Sequence, residues 1–220
     1  MLQFGFQELG GVERIRGTGD YVAMGEVPAA EKAAEAMRAY LFSSLQVRAF
    51  RGALIRENHL RFAQGLSVGE DQSFIFSFAM YMKSLVSAAK PLYIVMVDNA
   101  QSLSRRRREN LTQQLMEVNR RMFHDLREAQ LSPEARRLYE AAAAWVYYRS
   151  AYSACKELTK FDLAPAERRK KIGEICRLYA AGNVRPVGMK CRVIALPVQL
   201  RMSRVIDGMI CRGGTMAAGK

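Results

Sequence analysis

The chain has 220 residues, half of them apolar, and a formal net charge of +13. That apolar share is enough for a packed core and excludes a disordered polymer. The length suits one large domain or two small ones. The charge is unevenly placed. Met1–Ser104 holds 10 Lys+Arg against 10 Asp+Glu, and Arg105–Lys220 holds 24 against 11, so the second part carries the whole excess. A basic half points to a polyanion partner: an anionic membrane surface, nucleic acid or a phosphate-bearing substrate. Cys155, Cys176, Cys191 and Cys211 show no Cys-x-x-Cys spacing, and only His59 and His124 stand beside them, so a zinc site has little support. The cysteines read as reduced thiols of a cytosolic protein. No signal-peptide pattern opens the sequence, and no run of about 18 apolar residues could span a bilayer.

Taken in order, Leu2 to Glu8 alternates with strand period, Leu2, Phe4 and Phe6 on one face. Gly10-Gly11 turns the chain and Val12 to Arg16 pairs back as a hairpin. After the glycine-marked loop, Pro28 suits the first turn of a helix over Ala29 to Ser43, with Ala33, Met37 and Leu41 inward. Val47 to Phe50 is a short strand. Gly52 to Glu57 forms a helical turn or two, ended by Asn58, and His59 to Phe62 is a second short strand. That strand delivers the chain to Gly69-Glu70-Asp71. The run Phe74 to Ala89 is apolar on nearly every face and predicts a buried helix, with Asp71 as its N-cap. Leu92 to Val97 reads as a buried sheet strand. Asp98 to Ser104 is a polar loop at its end, where α/β sheets bind ligands. Ser102, Ser104 and Arg105 are therefore candidates for phosphate contacts, and Ser104 fits equally well as an N-cap.

Past Ser104 the pattern is helical. Leu111, Leu115, Val118, Met122 and Leu126 form one apolar stripe. Ser132-Pro133-Glu134 is a helix start, followed by a second stripe of Leu138, Ala141, Trp145, Tyr148, Tyr152 and Cys155. A third helix opens at Asp162 to Pro165, buries Ile172, Ile175, Cys176 and Tyr179, and stops at Gly182. The runs Arg105–Arg108 and Arg168–Lys171 read as solvated faces. Val198 to Cys211 places Val205, Ile206, Met209 and Ile210 on one face with Arg201 and Arg204 off it. That is the pattern of a basic amphipathic helix on anionic lipid, over the region 190–212, or of a helix that packs on another part of a larger protein.

The stretch "LRFAQGLSVGEDQSFIFSFAMYMKSL" followed by "KPLYIVMVDNAQSLSR" resembles the later half of the catalytic domain of family-two glycosyltransferases, over roughly Met1 to Arg105. The resemblance implies an α/β fold: part of an A-type nucleotide-sugar-transferase sheet with helices (1–104), followed by an all-α basic region (105–220). It implies an inverting transfer of sugar from a nucleotide-sugar donor to a glycan acceptor, as in polysaccharide biosynthesis. The family's acidic pair maps onto Glu70 and Asp71, with Asp71 as general base. A basic residue facing the site would be Arg48 or Arg51. The family also uses an Asp-x-Asp to hold a divalent ion, magnesium or manganese, on the donor diphosphate. No Asp-x-Asp occurs in these 220 residues. The expectation is therefore that a nucleotide-binding half precedes this sequence, that these residues alone are inactive, and that the first strand lacks its sheet neighbours. The location implied is the cytoplasm, at the inner face of the membrane.

The competing class is a non-catalytic basic helical module for an anionic membrane surface or nucleic acid. Nucleic acid is disfavoured: Trp145, Tyr148 and Tyr152 fall on an inward stripe, whereas base stacking needs exposed rings, and no nucleic-acid-binding motif spacing occurs.

Overall fold

The computed structural model describes residues 1–9, 14–16, 19–39, 44–96 and 107–211. The described chain is mixed α/β: a five-stranded sheet and eight α-helices. It divides into two compact units, one of residues 1–106 and 120–139, the other of residues 107–119 and 140–220.

The first unit holds the sheet. Its strands are β1 (Leu2–Leu9), β2 (Arg14–Arg16), β3 (Tyr21–Met24), β4 (Arg48–Ala49) and β5 (Ser84–Met96). β1 pairs antiparallel with β2 at one end and with β4 at the other, and parallel with β5 along its other edge; β3 closes on β5 antiparallel. The hairpin return read from the sequence is present as β2. The expectation that β1 lacks neighbours is corrected, because both its edges are hydrogen-bonded. Its inward face is also reversed at the start: Gln3 is buried and Leu2 is exposed.

Three helices belong to this unit: α1 (Glu26–Arg38), α2 (Gly52–Glu57) and α3 (Glu70–Ala79). α1 buries a face of alanines with Met37. His59 to Phe62 is not a strand; His59 sits in a turn at φ 50°, and Leu60 to Phe62 form no regular secondary structure. The long helix expected from Phe74 to Ala89 stops at Ala79, and from Ser84 onward the chain is β5. An all-apolar run suits a buried helix and a buried strand alike, and Leu85 and Val86 favour the strand once β1 and β3 supply ladders on both sides. β5 tolerates Pro91, which has no N–H, because the pairing slips there: Phe4 stands opposite Ala88 and Gly5 opposite Pro91. Beyond this bulge the buried-strand reading fails, since Leu92 and Ile94 are exposed.

α4 (Leu111–Glu128) and α5 (Pro133–Glu157) each contribute to both units. The α4 stripe is buried at all five expected positions. α5 is capped as the sequence reads, with Ser132 Oγ accepting the Ala135 N–H. The expected α5 stripe is only half inward: Tyr148, Tyr152 and Cys155 are buried, but Leu138, Ala141 and Trp145 are half-buried. Small residues Ala135, Ala142, Ala143 and Ala151 let neighbouring chain close in around most of the helix.

The second unit adds α6 (Pro165–Ala181), α7 (Met189–Gln199) and α8 (Ser203–Cys211). Tyrosine hydroxyls on α5 bind main-chain carbonyls of the chain around them: Tyr147 to Tyr179 at 2.6 Å, Tyr148 to Val184, and Tyr152 to Ile194 at 3.1 Å. The basic run at 168–171 is not wholly a solvated face. Arg168 Nε and Arg169 Nε donate to the Asp207 carboxylate at 2.6 and 3.2 Å, tying α8 to α6. Arg168 holds the Asp207 carboxyl below the usual carboxylate range. No described helix is long and apolar enough to cross a membrane.

Candidate functional site

α3 begins on a turn bracketed by Gly65 and Gly69, both in the left-handed region at φ 79° and 78°. A Cβ is disfavoured in that conformation by about 1–2 kcal/mol, so glycine at both positions lets the chain reverse sharply into the helix. Gly69, not Asp71, is the N-cap. Glu70 and Asp71 instead occupy the first turn, at the positive end of the helix dipole, where carboxylates are favoured by up to about 1 kcal/mol. Both side chains are half-buried.

The helix that carries them is anchored within its unit. Phe74, Ile75, Phe76 and Phe78 are buried, each worth about 1.5–3 kcal/mol of transfer out of water. Ser77 Oγ donates to Asp125 of α4. Tyr139 Oη of α5 donates to the Ala79 carbonyl at 2.9 Å, and its ring meets Phe76 edge-on at 6.1 Å. A carboxylate on such an element stays where it is put.

Asp71 Oδ2 accepts the Leu45 N–H at 3.4 Å, which joins the start of α3 to the segment leading into β4. Arg48 follows on β4 and is only 7 % exposed. Its guanidinium donates to Gln3 Oε1 at 3.0 Å and to the Ser44 carbonyl. Burial lowers its pKa to about 10, opposed by the nearby charges of Tyr21 and Asp71. The structure therefore brings Arg48 and Asp71 into one electrostatic neighbourhood. Arg48 serves there as a buried brace between β1 and β4. Arg51 is exposed and forms the N-cap of α2. Ser102, Ser104 and Arg105 lie outside the described residues.

Two participants escape a reading of the sequence. Gln3 falls on the solvent side of an alternating strand, and nothing in the sequence marks it as the partner of Arg48. Phe62 falls in a segment with the composition of a strand. It stacks on Phe74 at 4.5 Å with ring planes 15° apart, one helical turn from Asp71, and it is half exposed at 50 %. A half-exposed aromatic ring can lie against the C–H face of a sugar. Its one signal in the sequence is its place in the motif, eight residues ahead of Glu70.

The described residues offer no ligand set for the divalent ion that the resemblance implies: no three His, Cys, Asp or Glu side chains among them cluster closely enough to hold a metal. A cleft of about 320 Å³ in the second unit is lined by Arg108, Thr112, Glu157, Phe161 and Lys171 among others. Glu157 there accepts from the Arg108 N–H at 3.0 Å and pairs with Lys160 at 2.8 Å. That cleft holds no nucleophile paired with a base. No protein-family model matches the chain, and a search of curated proteins finds no match either.

Proposed function

We propose that residues 1–104 form the acceptor-side part of an inverting, family-two sugar transferase, with Asp71 as the general base. In this reading an acceptor hydroxyl attacks the anomeric carbon of a nucleotide-sugar. The new C–O bond forms as the bond to the diphosphate breaks, the diphosphate leaves with the bonding electrons, and the hydroxyl proton passes to Asp71. The base has to come within about 2.6–3.2 Å of that hydroxyl. Phe62 gives the acceptor sugar a surface to lie on, and Arg48 with Gln3 and Leu45 fixes the chain against which Asp71 rests.

The observation that carries the reading is the left-handed start at Gly69. It sets two half-buried carboxylates on the first turn of a helix whose other faces are packed. A cap alone needs one short polar side chain, and here glycine already fills that position. No Asp-x-Asp occurs among the 220 residues, so the role of Asp71 is tested in an enzyme that includes this segment. Proton NMR of the product formed from a nucleotide-sugar should show the anomeric configuration inverted relative to the donor. A retained configuration would remove single displacement, and with it the role given to Asp71.

A further inference from the structure

α7 is apolar on two opposite sides. Cys191, Ile194, Ala195 and Val198 are buried. Met189, Val193, Leu196 and Leu200 recur every three or four residues along the other side and are 54–76 % exposed. Met202 in the following turn and Val205 at the start of α8 are exposed as well, both at least 40 %. A helix with one buried face normally turns polar residues outward. The charge around the stripe is of one sign: between Glu174 and Asp207 there is no acidic residue, but there are six cations, Arg177, Arg185, Lys190, Arg192, Arg201 and Arg204. Lys190, Arg192, Arg201 and Arg204 are exposed.

We propose that this face of α7, with the beginning of α8, lies on an anionic lipid bilayer. Met189, Val193, Leu196 and Leu200 enter the boundary between headgroups and acyl chains, and the flanking cations meet the lipid phosphates. The face differs from the one read from the sequence, because Ile206 is fully buried and Arg201, at φ 55°, turns the chain between two separate helices. Charge argues against a second copy as occupant, since a two-fold pairing would set these cations against themselves. The stripe is aliphatic, with no aromatic residue after Tyr179, which argues against nucleic acid.

The test is sedimentation of the full chain with vesicles of phosphatidylcholine alone and of phosphatidylcholine with phosphatidylglycerol. Binding is expected only to the second and is expected to fall as salt is raised. Val193→Glu with Leu196→Glu should abolish it without changing the circular dichroism, since both side chains are exposed. Exchanging Lys190, Arg192 and Arg201 for Gln should weaken it about 100-fold, at roughly fivefold for each cation. Absence of binding to anionic vesicles, or binding that survives the paired Glu variant, overturns the proposal. Self-association that the Glu pair removes, with no vesicle binding, overturns it in favour of a contact between copies.

Discussion

Gly182 ends α6 at φ −67°, an ordinary helical angle, so conformation does not require glycine there. Space does: a Cβ would stand 2.0 Å from Tyr147 Oη, and that hydroxyl is held on the Tyr179 carbonyl at 2.6 Å. Gly182→Ala must displace a buried ring and should lower stability by about 1–3 kcal/mol in urea unfolding. Removing the hydroxyl with Tyr147→Phe should shrink that cost, because the two changes share one contact. An equal cost in both backgrounds would place the strain elsewhere. The glycine is legible in the sequence as a helix stop, but its reason is not, because the clash is with a residue 35 positions earlier. Gln3 and Arg48 make the same point. Each looks solvated in an alternating pattern, and their pairing at 3.0 Å, with the Arg48 bond to the Ser44 carbonyl, helps make burial of both tolerable.

At the scale of elements, α5 shows how far periodicity reaches. Its start at Ser132-Pro133 is legible from capping chemistry, yet the pattern misplaces its inward side at Leu138 and Trp145. A helix surrounded on most sides has no single stripe for the pattern to report. Its tyrosines predict a pH response. Burial pushes Tyr147 and Tyr152 up to about 12, and raises Tyr139 and, on α6, Tyr179 as well. A folded-state pKa above the unfolded value near 10 means that this stability is intact below pH 10 and is lost as pH rises through about 12. The helical circular dichroism should therefore persist past pH 10 and collapse together with the appearance of tyrosinate absorbance. Tyrosinate forming fully near pH 10, with the helices intact, would show these hydroxyls open to water. The α3–β5 boundary is hidden for a related reason: continuous apolarity carries no period, and the ladders that make Ser84–Met96 a strand come from β1 and β3, far away in sequence.

For the whole molecule, the division of charge is written in the sequence: a neutral first part and a basic second part. The α/β class of the first part and the helical class of the second are legible as well, because turn glycines, strand alternation and helix starts are local signals. The exposed apolar stripe among the cations is not. The sequence pattern places the apolar face on Val205, Ile206, Met209 and Ile210, whereas Ile206 is buried and the exposed apolar stripe is Met189, Val193, Leu196 and Leu200, opposite the buried side of α7. At the acidic turn the motif singles out Glu70 and Asp71, whereas Asp71 is tied to Leu45, and the neighbouring brace of Gln3 and Arg48 lies on separate segments. Whether Asp71 takes the acceptor's proton is decided by one comparison. In an enzyme containing this segment, turnover and donor affinity are measured for the native protein and for Asp71→Asn, a change that keeps the shape and removes the base. With Asp71 as the base, kcat should fall by about 10²–10⁴-fold, the usual contribution of a positioned base, while the donor Kd stays nearly unchanged. Turnover of Asp71→Asn close to that of the native enzyme would contradict the assignment.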